Sequence, residues 1–422
     1  MSTPEGNRYN YLVVFFATLG SITYGFNNSI MGTVLDLDSF FNYFDLPETG
    51  PKADHTQVII GTTQGIFYAG GIIGCGIAGW MANRLGRQRA VQVICSLCII
   101  SAILQAAAVH IAMLLVGRLF NGAGSAMINV VVPLYQSEIS PPVHRGRMVG
   151  SHGALIVVGY TFAAWTGLGC YFEQNPQIQW RLYLALQCVA PLVLLAGSAW
   201  LPESPRWLIA NGQLESARQI LNRLHGDGNN TETSISPAAL EFSQIESQLE
   251  IDSRSSAGLI TILKSSSLRR RFLIGFFVQC LAQSTGVLVI NNYQVTLYAG
   301  LGLSGWMPLL LYGIYTTWAA ILNYAGALIV DRIGRVRMLS IGMVGCASMV
   351  ACEAAMVAQF GGGPNKIGNG FAVLFLFLFV TFYGGCVDAI SYVYCSELFP
   401  TNIRAQVVSS NVINHRVTNT TE

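Results

Sequence analysis

Residues 135–146 read YQSEISPPVHRG, and residues 394–405 read YCSELFPTNIRA. Tyr135, Glu138, Pro141 and Arg145 recur as Tyr394, Glu397, Pro400 and Arg404 at identical spacing. A second pair follows the same rule: GWMANRLGRQR at 79–89 returns as ALIVDRIGRVR at 327–337. Two motifs, each present twice and in the same order, mark a chain built from two parallel halves. In a membrane carrier that arrangement puts the solute site at the interface of the halves. The chemistry of the repeats is ionic. Gly-Arg turns at helix ends set guanidinium groups against the carboxylates of Glu138 and Glu397 and against helix C-termini. Arg84, Arg87, Arg145, Arg332, Arg335 and Arg404 are therefore candidates, with those two acids, for salt bridges that lock one face shut and break when it opens. The plainer reading is that these arginines only anchor the topology. The duplication of both motifs argues against it.

The sequence around these motifs is that of a membrane protein. Hydrophobic residues make up 52% of the 422 and charged residues only 10%, against about 25% charged in ordinary soluble domains. A formal net charge of +2 gives no electrostatic footprint for nucleic acid. The 44 glycines suit helices that approach one another closely in lipid. Most of the ten cysteines sit inside apolar runs, for example Cys75, Cys95, Cys98, Cys346 and Cys352, where they act as small hydrophobes. No spacing suggests a metal site or a disulfide framework. The polar start MSTPEGNRYN lacks a basic n-region and leads into a long apolar run; it is expected to be a retained first span rather than a removed signal peptide.

A bilayer core of about 30 Å needs about 20 apolar residues in helix. Candidate spans lie at 11–35, 57–81, 90–109, 112–135, 149–170, 183–201, 272–298, 306–330, 338–359 and 370–394. The runs are too long and too continuously apolar for barrel strands, so the expected class is all-α, with about ten spans. One set of short loops carries Arg84, Arg87, Arg89, Arg145, Arg147, Arg332, Arg335 and Arg337; the alternating loops carry little beyond Lys52, Arg181 and Lys366. Positive loops stay in the cytoplasm, which places the N-terminus and the central segment inside and the loop at 36–55 outside. The expected organisation is a first six-helix bundle at 1–201, a cytoplasmic linker at 202–271 and a second bundle at 272–422. Within the linker, LESARQILNRLHG and ALEFSQIESQLEI read as short amphipathic helices broken by the Gly/Asn run at 226–230.

With the motifs in view, the chain resembles the sugar-porter branch of the major facilitator superfamily. The resemblance rests on VGRLFNGAGSAM at 116–127, Pro133 to Tyr135, Glu138, Pro141 and Arg145-Gly146, then Trp180-Arg181 and the string Pro202-Glu-Ser-Pro-Arg206. It covers nearly the whole chain, and the linker and tails are similar to those of fungal members. It implies two six-helix bundles that rock around a midplane site, a plasma-membrane location, and a sugar or similar polyhydroxylated solute moved by proton symport or facilitated diffusion. Several positions depart from the pattern. Gln279, Gln283 and Gly286 stand where the seventh span hydrogen-bonds a sugar, but Ala282 and Leu288 replace two further polar residues. Asn292-Tyr293 replaces a Tyr pair, His152-Gly153 a His-Gln, and Tyr392 a sugar-stacking Trp. Asn291, Asn292, Asn323 and Asp388 are candidates to supply the missing hydrogen bonds.

Gln279 and Gln283 lie four apart and share one helix face; they serve either the substrate or interhelical hydrogen bonding, as do Asn291 and Asn292. Asn27 stands where proton-coupled relatives carry Asp, which favours facilitated diffusion. Arg118 needs a partner within the membrane, either Asn27 or Glu138. Asp388 on the tenth span is read as a proton-coupling group or a contact to a substrate hydroxyl. His152 either lines the cavity or packs. After Arg404 the chain reads AQVVSSNVINHRVTNTTE, which is expected to leave the second half short of two spans, as in a truncated product of a longer carrier. A non-transporting sugar sensor or a non-functional truncated product is the alternative function. No nucleophile elbow, phosphate loop or metal cluster stands out, so the chain is not read as an enzyme. It is expected to be a monomer in the bilayer with no cofactor beyond a coupled proton.

Overall fold

The computed structural model describes residues 8–47, 50–51, 53–140, 145–225, 237–254, 266–360, 365–388, 390–391 and 394. The chain runs α1 (Arg8–Ala17), α2 (Leu19–Val34), a short α3 (Asp38–Tyr43), α4 (Ala53–Leu85), α5 (Arg87–Ala106), α6 (Ile111–Ile139), α7 (Arg145–Tyr171), α8 (Pro176–Ala185) and α9 (Val189–Gly197). Then come α10 (Pro205–Ala210), α11 (Leu214–His225), α12 (Pro237–Arg254), α13 (Ser266–Gln283), α14 (Val287–Gly300), α15 (Met307–Ile333), α16 (Arg335–Phe360) and α17 (Lys366–Tyr383), which passes into a π-helical turn at Gly384–Asp388. The all-helical class expected from the apolar runs is what forms. Backbone hydrogen bonds in lipid must close within each segment, and a helix does this alone.

Nine helical stretches among the described residues are long and apolar enough to cross a membrane, from Ala53–Leu85 to Ile367–Asp388. The first expected span, at 11–35, exists as α1 and α2, each too short to count alone. Thr18 separates them; its hydroxyl donates to the Phe15 carbonyl, the local competition with the helical ladder that bends spans at Thr. The expected span at 183–201 begins earlier, at Pro176, because Asn175 caps it, accepting from the Gln177 N–H at 3.0 Å, and Pro176 fills the first turn. Many large apolar side chains face outward, such as Val344, Ile367 and Leu12. Lipid is the solvent that makes this favourable.

Helices pack by small residues rather than by bulk. Gly25 on α2 and Gly159 on α7 are so close that a Cβ on Gly25 would meet the Ile156 carbonyl and the Gly159 Cα. Such contact lets backbones approach and van der Waals attraction hold them. Gly25→Ala pushes a methyl into backbone that cannot give way, and is expected to destabilise by about 1–3 kcal/mol. A lower melting temperature of the detergent-purified protein checks it; an unchanged melt means α2 and α7 do not rest on this contact. Behind the membrane segments, α10, α11 and α12 bury Leu208, Ile209, Ala217, Leu221, Ala238 and Phe242 against each other. This is the amphipathic pattern of the linker closing on itself.

Candidate functional site

A small cavity opens between the halves. The first half contributes Val157 and Tyr160 from α7; the second contributes Val287 and Asn291 from α14, and Tyr312, Tyr315, Thr316 and Ala319 from α15. Val380, Tyr383, Gly384 and Asp388 complete it from α17 and its π-turn. Two local breaks shape the wall. The seventh span is interrupted at 284–286, where Gly286 adopts φ +85°, a left-handed conformation that only glycine takes without strain. Discontinuous helices of this kind expose backbone and polar side chains at solute sites. The π-turn at Gly384–Asp388 widens the tenth span and turns Asp388 into the cavity.

Asp388 is the acid of this cavity. Asn323 Nδ2 donates to one of its carboxylate oxygens at 2.6 Å, and Ser391 donates to its main-chain carbonyl at 2.9 Å. Asn323 is itself buried. Tyr312, Thr316, Ala319 and Asn323 follow at steps of four, three and four along α15, so one helix face delivers both the aromatic wall and the partner of the acid. That periodicity was open to reading in the sequence; the tyrosines Tyr160, Tyr312, Tyr315 and Tyr383 were missed because in apolar spans they look like ordinary packing.

The structure distributes the expected site residues more widely than one pocket. Asn291 and Asp388 line the cavity. Asn292 points elsewhere: its Nδ2 donates to the Tyr68 hydroxyl on α4 at 2.9 Å. Gln279 and Gln283 are buried but are not among the residues lining this cavity. His152 sits between Ser21 Oγ at 2.7 Å and Asn129 Oδ1 at 2.8 Å, both ring nitrogens engaged in packing α7 against α2 and α6. It therefore does not face the cavity as a free group. Asn27 Nδ2 donates to Ser125 Oγ at 3.1 Å, and its main-chain carbonyl accepts from Arg118 at 3.4 Å. Tyr392, Glu397 and Arg404, and the side chain of Arg145, lie outside the described residues.

Arg118 is fully buried, donates to Gln64 Oε1 at 3.3 Å and lies 4.2 Å over the Phe67 ring. Of its two expected partners, Asn27 answers through its carbonyl. Glu138 does not, because Arg87 holds it: Nε and Nη2 of Arg87 each donate to a Glu138 oxygen at 2.7 Å, a bidentate pair that is nearly buried. Beside it Glu203 accepts from the main-chain N–H groups of Arg87 at 2.7 Å and Gln88 at 3.2 Å, placing a carboxylate at the N-terminus of α5. Burial pushes the Glu203 carboxyl above its usual range, opposed by the N–H groups of Ser204, Arg87 and Gln88 and by the Arg87 charge. The Pro202-Glu-Ser-Pro string has a physical reading here. The Pro202 carbonyl accepts from Tyr135 at 2.6 Å, Glu203 caps α5, Ser204 caps α10 through the Trp207 N–H at 3.2 Å, and Pro205 opens α10. This network staples the start of the linker to the first bundle. Arg84 lies 5.4 Å over Trp80, and Arg332 is exposed; Arg335 is half-buried.

Several contacts join the halves among the described residues. Ser29 and Tyr312 share a hydrogen bond at 2.6 Å, Asn292 donates to Tyr68, and Trp165 donates to Thr317 at 3.0 Å. Ala164 and Leu168 pack on Val295, Leu309 and Tyr312. Ser29 lies in the last turns of α2, next to the loop that holds α3, and Tyr312 in the first turns of α15, whereas Tyr68 lies midway along α4. A hydrogen bond of this kind contributes about 0.5–1.5 kcal/mol. Tyr68→Phe is therefore expected to raise opening between the halves about two- to tenfold. The alkylation rate of Asn291→Cys by an impermeant reagent added from the α3 side, with and without Tyr68→Phe, checks it.

The family model described as "Sugar (and other) transporter" matches residues 13–421. The MFS-type transporter criB of Aspergillus cristatus is 34% identical over 392 residues, covering 92% of this chain and 81% of that protein. The quinate permease of Neurospora terricola is 29% identical, over 98% of this chain and 80% of its own length. Among solved structures, the partially occluded inward-open xylose transporter XylE of E. coli superposes with a TM-score of 0.80 at 22% identity, covering 98% of this chain and 91% of that one. At that identity it speaks for the fold.

Proposed function

The chain belongs to the sugar (and other) transporter family, a multi-pass membrane carrier and not an enzyme, and from that premise we propose that it moves a neutral sugar or similar polyhydroxylated solute by alternating access, coupled to protons through Asp388. The cavity between the halves, walled by four helices and holding the Asp388 carboxylate among its described lining residues, is the observation that carries this reading. Two bundles at 1–201 and 272–422, joined by the linker, rock around it. The contacts beside α3 close one side, and their release with closure of the other completes the cycle. The arginine-rich loops support an N-terminus in the cytoplasm, and the membrane is taken to be the plasma membrane.

An ionised carboxylate is costly inside a membrane unless it is paired, and such residues mark ion pathways. Asp388 has a neutral amide as its partner. A bound proton removes the charge for the loaded crossing; release on the far side restores it. Asn27, which cannot titrate, holds the first-span position. The solute of the quinate-permease relative is not carried over to this chain. The test is uptake of labelled sugars and polyols by cells lacking their own carriers, with and without an uncoupler. Accumulation that the uncoupler collapses supports coupled transport. Equilibration indifferent to the uncoupler overturns the coupling, and no uptake by protein present at the membrane overturns the carrier reading.

A further inference from the structure

Charge is unevenly spread along the chain. From Ser253 to Val330 there is no aspartate or glutamate, yet Arg254, Lys264, Arg269, Arg270 and Arg271 fall within that stretch. The acids of the region, Glu241, Glu246, Glu250 and Asp252, all stand before it on α12. The arginine run heads the first span of the second half: the apolar stretch long enough to cross a membrane begins at Arg269. All three arginines are exposed. Neither Arg269 nor Arg270 pairs with a carboxylate among the described residues. The helix does not compensate them either. The first turn of α13 holds no acid, and cations near a helix N-terminus are disfavoured by its dipole.

Helix geometry sets these side chains over lipid. Ile274, Phe277 and Leu281 follow Arg270 at steps of four, three and four, and Leu273 follows Arg269 by four, so each arginine heads a line along α13. Leu273, Ile274, Phe277 and Leu281 are all exposed large apolar side chains. In a bilayer their partners are acyl chains. A guanidinium at the base of such a line reaches the depth of the headgroups while its stem lies along the chains.

We infer that Arg269 and Arg270, with the basic residues beside them, form a docking surface for an anionic phospholipid. The guanidinium groups hold the phosphate, for which their planar fork is suited, and the acyl chains lie along Ile274, Phe277 and Leu281. In the proposed topology this end of α13 is cytoplasmic, and the cytoplasmic leaflet carries the anionic lipids that attract basic segments beside a span. Each arginine is worth about fivefold in affinity for such a lipid.

Native mass spectrometry of the detergent-purified full chain, offered phosphatidylserine and phosphatidylcholine in equal amounts, tests this. Both lipids carry a phosphate, and only the first has a net negative charge. The serine lipid is expected to be retained about tenfold or more over the choline lipid. Arg269→Gln with Arg270→Gln is expected to bring that ratio to within about twofold of one, and Arg269→Lys with Arg270→Lys to keep most of it. Arg89→Gln with Arg337→Gln, which removes two exposed arginines from other loops on the same side, is expected to change it less than twofold. Melting temperature checks that each variant is folded; if the Gln pair does not fold, Arg270→Gln alone is read, with about a fivefold loss expected. No preference for the serine lipid overturns the inference. So does an equal loss in the Arg89 and Arg337 variant, which would make the effect one of overall charge. Displacement of the lipid by inorganic phosphate would assign the arginines to a free anion and overturn it as well.

Discussion

Asp388→Asn is expected to abolish uphill accumulation while sparing exchange. A gradient of two pH units is worth about 2.7 kcal/mol per proton, enough for about a hundredfold accumulation at one proton per solute. The Asn side chain keeps the size of the acid and its place beside Asn323, so the cavity retains its shape. What it loses is the ability to gain and lose a proton. The accumulation ratio should therefore fall from about a hundred to about one, while the rate at which internal labelled solute exchanges for external solute stays within about twofold. Proteoliposomes with an imposed pH gradient measure both quantities on the same preparation. An unchanged accumulation ratio removes Asp388 from coupling. Loss of exchange together with accumulation assigns Asp388 to solute binding instead.

The second large effect belongs to the first half. Arg87→Ala leaves Glu138 as a nearly buried carboxylate without its bidentate partner. Stranding one member of such a pair costs about 3–5 kcal/mol, whereas replacing both by apolar groups of similar volume is often neutral. Arg87→Ala is therefore expected to lower the melting temperature and membrane yield sharply. Arg87→Met combined with Glu138→Leu is expected to recover most of both. Melting of the detergent-purified proteins reads the result. A double variant as unstable as the single one would show that Arg87 acts through its side-chain bond to the Ala82 carbonyl rather than through Glu138.

Much of the fold was legible because membranes allow few solutions. The apolar runs alone set the helical class and most of the spans, since no other backbone arrangement satisfies its hydrogen bonds in lipid one segment at a time. The break at Thr18 and the π-turn at Gly384 were not legible. Each is a change in a hydrogen-bond ladder that costs little locally and is decided by neighbours. The candidate site divided along the same line. Asp388 and Asn291 stood out as polar groups in apolar spans, and both line the cavity. His152 and Asn292 stood out equally, yet each is consumed by partners far away in sequence, Ser21 and Asn129 for one and Tyr68 for the other.

By itself, then, the sequence determined the helical membrane class, the repeat, the family and the set of polar side chains placed within the spans. These follow from composition and local spacing, which any extended chain displays. Tertiary structure alone decided which polar groups satisfy one another and which are left for a ligand. Glu138 went to Arg87 rather than Arg118, Asn323 went to Asp388, and Tyr315 was left over. A hydrogen bond depends on distances of a few tenths of an ångström between helices remote in sequence, and that distance exists only after the helices have packed.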